Sequence, residues 1–187
     1  MARYELGAIY KIDGGERTYY ARLLTQDTYG IFEPFEGEIS EEKFSKLGYR
    51  LYICTGSFAV KRGFWEKLIP STDKMDTERW SRPLHLVNFL PWNIEESLES
   101  SVSLNRSGNT EVIDRKEYIK YLKQGCISVI MPRYELIPNY LDRVYDNWPE
   151  SAILQDLEFT NGTEEHRRKQ IKALKKLGYD VSGYEEI

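Results

Sequence analysis

The sequence predicts an α+β fold. A mainly antiparallel, strongly twisted or partly barrel-like sheet is expected in the first two thirds, with helices concentrated in the C-terminal third. Three observations predict it. Short apolar and aromatic runs, separated by turns, fill the N-terminal half. Capped stretches with apolar residues at helical spacing dominate the C-terminal part. The 187 residues are 41% hydrophobic and 30% charged, a globular composition with room for a sizeable core. The expected organisation is a single domain over 1–187, with a β-rich core over 1–135 and a mostly helical part over 136–187.

The elements follow in order. Residues 6–12 form a mostly apolar run, and Asp13-Gly14-Gly15-Glu16 supplies the turn after it. The aromatic-rich run 18–24 and the run 29–32 complete an antiparallel meander, which Pro34 limits. Ser40 is placed to cap a short helix that opens on Glu41 and Glu42 and that Gly48 is expected to end. Runs 49–54, 57–60 and 64–69 read as further strands, punctuated by Gly56 and Gly63. Residues 70–83 read as a loop, 84–90 as a strand, and 95–109 as an exposed Ser-, Glu- and Asn-rich segment.

Helix signals then take over. Asp114 and Glu117 fit a capping box before a stripe of Tyr118, Ile119 and Leu122, with Gly125 as the stop. Residues 126–131 are β-rich, and Pro138 is placed to open a helix. In the last helix Asn161 or Thr163 caps, Ile171, Leu174 and Leu177 form the stripe, and Gly178 ends it.

Composition bounds the function. The formal net charge of −4 does not describe a general nucleic-acid binder. Cys54 and Cys126 lie in apolar runs and read as buried, reduced thiols rather than a secreted disulfide framework. The N-terminus has no apolar signal region, and no run is long enough to span a membrane. A cytoplasmic protein with no membrane association is expected. The 14 tyrosines and 4 tryptophans suit both cores and interfaces.

No catalytic set presents itself. The two histidines stand far apart: His85 reads as a satisfied core or rim residue, and His166 as part of the basic face 166–169. Neither phosphate-binding glycine loops nor a nucleophile elbow is present, and no metal or cofactor is expected. Carboxylates do cluster. Glu33, Glu36, Glu38, Glu41 and Glu42 form one acidic stretch, and Glu95, Glu96 and Glu99 a second. Each reads either as a solvated surface or as a docking surface for a basic cleft. A hydrolase using Cys54 or these carboxylates has the least support. A small-barrel module associated with nucleic acid or the ribosome is the alternative binding class, with Tyr-rich strands to stack bases and Arg167, Arg168 and Lys169 to meet phosphates.

The opening carries a resemblance as well. Gly7-Ala-Ile-Tyr10, a glycine turn, Tyr19-Tyr20-Ala-Arg22-Leu-Leu24 and Gly30-Ile-Phe32 resemble the start of the immunity protein 26 family. The stretch 61–69 around Trp65, with prolines after it, is similar to a Trp-containing stretch of that family. The resemblance covers the first half and implies a non-enzymatic, cytosolic protein that binds and neutralises a cognate bacterial toxin, a nuclease among the candidates, by blocking its active site. On this reading Gly7, Tyr10, Tyr20, Arg22 and Trp65 build the fold, and the two acidic stretches meet the partner.

Overall fold

The computed structural model describes residues 5–71, 85–90, 93–100, 102–105, 109–159 and 163–184. Side chains are described for all of these except 95, 99, 100 and 155–159. The expected loop over 70–83 therefore lies almost wholly outside the described residues.

The first half is the predicted meander. Strands β1 (Ile9–Ile12), β2 (Tyr19–Leu23) and β3 (Thr28–Phe32) pair antiparallel in sequence order, and β4 (Tyr49–Cys54) continues the series against β3. The β1–β2 turn works because Gly14 sits at φ 114°, a conformation side chains resist. A Cβ on Gly15 would stand 2.2 Å from an Asp142 carboxylate oxygen. That turn is therefore pressed against a distant helix, which local sequence does not reveal. Helix α1 (Glu41–Lys46) fills the β3–β4 connection, capped by Ser40, whose Oγ accepts from the Lys43 N–H at 3.2 Å. Its end differs from expectation. Leu47 closes it in extended backbone at φ −82°, and Gly48 has no left-handed role.

Three further readings need correcting. Residues 57–60 are not a strand: a one-turn helix, α2 (Phe58–Lys61), forms there, and Gly63 at φ 77° turns the chain after it. The strand expected at 64–69 is shorter, β5 (Glu66–Ile69), and returns to pair with β1. Residues 95–109 are not simply an exposed loop. After β6 (Leu86–Phe89) the chain forms α3 (Ile94–Ser100), then β7 (Val102–Leu104) and β8 (Thr110–Val112). Ile94, Ser97 and Leu98 bury the inner face of α3, an apolar pattern that the surrounding Ser and Glu residues mask.

Helix α4 (Arg115–Lys123) begins as predicted, with Asp114 accepting from the Lys116 and Glu117 N–H groups at 2.7 and 2.9 Å. Glu117 does not reach back, however. Its carboxylate accepts instead from the Tyr121 hydroxyl. Strand β9 (Ile127–Ile130) follows. A 3-10 turn (Tyr134–Leu136), α5 (Ile137–Val144), α6 (Glu150–Phe159), α7 (Glu164–Leu177) and a last 3-10 turn (Ser182–Tyr184) complete the chain. Thr163 caps α7 and Gly178 ends it at φ 82°, as its sequence predicts.

The nine strands form one sheet in the order β5-β1-β2-β3-β4-β9-β6-β7-β8. β9 enters between β4 and β6, parallel to both, and all other neighbours are antiparallel. The sheet is mainly antiparallel, as expected, but it is open rather than barrel-like, with β5 and β8 at its edges. Its main core joins Tyr10, Tyr29 and Trp65 from the first half to Tyr118, Leu141, Val144 and Leu174 from the second. A second cluster holds Ile9, Phe32 and Phe44, with Tyr20, Phe35 and Tyr49 packed on it. Among the described residues no helix is long and apolar enough to cross a membrane.

Candidate protein-binding surfaces

The opening motif is structural. Gly7, at φ 79°, turns its carbonyl towards β2, where Arg22 Nη1 donates to it at 3.1 Å. Arg22 Nη2 donates to Glu41 Oε1 at 3.0 Å, and the guanidinium lies 5.7 Å from the Phe32 ring centroid. Arg22 is only 2% exposed, so one buried cation ties the first strand, the second strand and α1 together. Tyr10 is fully buried. Its ring packs edge-on against Tyr29 at 6.2 Å, and Tyr29 packs likewise against Trp65 at 5.0 Å. Tyr20 packs on Phe35 and Phe44 at the foot of the acidic loop.

That loop carries less free charge than its composition suggests. Glu41 is committed to Arg22. Glu33 pairs with Arg50 at 3.3 Å, and Glu42 with Lys46 at 2.6 Å on the helix surface. Glu36 and Glu38 remain exposed on either side of Gly37 and make no ion pair among the described residues. Of the second stretch, Glu95 and Glu99 have side chains outside those described. Glu96 is exposed and engaged with the cap of α3: Asn93 Oδ1 accepts from the Glu96 N–H at 3.1 Å, and the Glu96 carboxylate accepts from Asn93 Nδ2 at 2.9 Å.

Beside the acidic loop lies a notch of about 160 Å³ lined by Arg17, Tyr19, Tyr20, Glu33, Phe35 and Tyr145. Its walls are braced. Arg17 forks onto Asp146 at 3.1 and 2.6 Å and donates through Nε to the Tyr19 hydroxyl. The Tyr19 hydroxyl donates to Asp142 at 2.7 Å. Burial, then the hydrogen bond to Asp142, pushes the Tyr19 hydroxyl well above its ordinary pKa. The Arg17 hydrogen bonds hold the Asp146 carboxyl below the usual carboxylate range. Arg50 donates to the carbonyls of Tyr145 and Asp146 at 3.0 and 2.8 Å. This notch clasps the end of α5 to the meander, and its cations are already occupied.

A different surface follows β4. Phe58 and Phe64 bracket the one-turn helix α2 and are 58% and 61% exposed. Arg62 lies over the Phe58 ring at 5.2 Å, and Phe64 packs on Tyr134 at 5.2 Å. Leu136, on the same 3-10 turn as Tyr134, is 42% exposed. Because β4 and β9 are parallel, α2 and this turn leave the sheet at the same end. The acidic loop precedes β4, so it stands at the opposite end of that strand. The sequence offered one missed signal here: Phe58 and Arg62 compressed between Gly56 and Gly63, with Phe64 directly after, a spacing too short for buried strands.

The remaining candidates resolve simply. His85 Nδ1 lies 2.8 Å from Glu111 Oε1 of β8 and its ring stacks on Tyr121, so it sits at the rim beside a carboxylate and not among metal ligands or catalytic groups of the described residues. Arg168 and Lys169 pair one turn back along α7 with Glu164 and Glu165. Cys54 and Cys126 are free thiols, half-buried rather than fully buried. Burial, with Asp27 nearby, pushes the Cys54 thiol up to about 12, which makes it a poor thiolate at neutral pH. Among the described residues no group of three or more His, Cys, Asp or Glu is placed to hold a metal. No family model matches the chain, and neither a curated protein nor a solved structure matches it.

Proposed function

We propose that this chain is an immunity-type protein that binds a cognate bacterial toxin in the cytoplasm and neutralises it by covering the toxin's active site, with no catalytic role of its own. The observation that carries a binding role is the exposure of Phe58 and Phe64, with Arg62 over the Phe58 ring. Large apolar side chains held in water on one face mark interaction surfaces, and aromatic and arginine side chains dominate the binding energy of such surfaces. The toxin class rests on the resemblance of the opening residues. Most of these residues are buried in the fold, which leaves contact with a partner to other residues. Glu36 and Glu38, exposed and unpaired among the described residues, suit long-range steering towards a basic partner.

Co-expression with the product of the adjacent reading frame tests the proposal. The two proteins are expected to co-purify, and cells making both are expected to survive a toxic partner. The double variant Phe58→Ser, Phe64→Ser is expected to weaken the complex at least tenfold, about 1.4 kcal/mol, while melting as the parent does. Neither complex nor rescue would overturn the immunity reading. A complex indifferent to the double variant would move the contact away from the aromatic face.

A further inference from the structure

An open cleft lies between helices at the other end of the chain from the acidic loop 33–42. It has a volume of about 700 Å³, and its walls come from α3, α4 and α7. Four cations line it: Arg115 at the start of α4, and Lys169, Lys172 and Lys176 along α7. Leu98, Ile119, Ala173 and Leu177 supply the apolar part of the lining. The three lysines fall at helical spacings of three and four, so they share one face and span about 10 Å of helix. Lys169 has Glu165 at 3.3 Å. Arg115, Lys172 and Lys176 are exposed and make no ion pair among the described residues. A chain with a net charge of −4 thus gathers positive charge around one cleft of mixed lining.

We infer that this cleft binds an acidic peptide segment of a partner protein, with carboxylates on the lysine row and an apolar side chain against Ile119 and Ala173. Charge complementarity selects the sign of the occupant. The lining selects its class. Single-stranded nucleic acid relies on aromatic platforms for its bases, and the lining here is aliphatic. An extended peptide covers the same 10 Å in about three residues, and its same-face side chains, about 6.6 Å apart, can set two carboxylates on the lysine row. The binding does not require the partner to be a toxin.

Fluorescence anisotropy on the full chain tests this, with a labelled decapeptide of glutamate and leucine in alternating pairs as the probe. A lysine–leucine peptide of the same pattern and a labelled oligothymidylate serve as comparisons. The acidic peptide is expected to bind with micromolar affinity that falls as salt rises. Lys172→Glu with Lys176→Glu is expected to weaken it at least about tenfold. Lys43→Glu with Lys46→Glu, the same change of charge on α1, is expected to leave it unchanged. If the doubly reversed chain melts early, Lys172→Gln with Lys176→Gln replaces it, with several-fold weakening expected. No binding of the acidic peptide, equal binding of the basic one, tighter binding of the oligonucleotide, or indifference to both cleft variants would each overturn the inference.

Discussion

The acidic loop and the basic cleft make an instructive contrast. The loop is a run of like charge in the sequence, whereas the cleft gathers its cations from two helices. In the loop, three of the five glutamates are already spoken for: Glu41 by buried Arg22, Glu33 by Arg50, and Glu42 by Lys46. In the cleft only Lys169 has an ion-pair partner among the described residues, and three cations face solvent. The loop's charges mainly hold the fold together, whereas the cleft's are available to a partner. A count of charges along a sequence does not measure what a surface offers, because pairing across the fold decides what is left over.

Removing Arg22 should have the largest effect. Arg22→Met is expected to destabilise the fold by about 3 kcal/mol, since it strands the Gly7 carbonyl and the partly buried Glu41 carboxylate. A urea midpoint unchanged from the parent would contradict a structural role for the loop's charge. Arg50→Ala should cost less, about 1–2 kcal/mol, through the lost bonds to Tyr145, Asp146 and Glu33. The same denaturant titration measures it.

Acid should loosen the clasp beside the loop. The Asp146 carboxyl lies below its unfolded value, so the folded state binds fewer protons there. Its contribution is present above about pH 4 and is lost as pH falls further. At the other extreme, Cys54 and Tyr145 are each pushed up to about 12, chiefly by burial. The unfolded chain therefore loses those protons first, and stability should fall as pH rises beyond about 9. Melting temperature across pH checks both limbs, and Arg17→Met should flatten the acid one.

The smallest effects should fall on the free charges of both regions. Glu36→Gln with Glu38→Gln, and Lys172→Gln with Lys176→Gln, are each expected to change stability by less than about 0.5 kcal/mol. A larger loss from either double variant, read by the same melts, would place those side chains in the fold after all.

Much of the architecture was legible because its causes are local. The caps at Ser40, Asp114 and Thr163, the stops at Gly125 and Gly178, and the first three strands all depend on residues within a few positions of one another. The errors came where a short signal has two readings. Residues 57–60 are apolar enough for a strand yet close into a helical turn, and α3 hides three buried residues among glutamates and serines. The sites were less legible still. The acidic stretches were found, but their neutralisation was not, because Arg22 and Arg50 reach them from β2 and β4.

By itself, then, the sequence determined the antiparallel meander, the capped helices and the α+β class, since hydrophobic period and turn chemistry act over short distances. The tertiary structure alone decided that β9 would slip between β4 and β6, that the sheet would stay open, and that Phe58 and Phe64 would remain in water. It also decided which charges found partners, because an ion pair depends on distance in space, and α4 and α7 meet across a cleft whose walls lie some fifty residues apart in the chain.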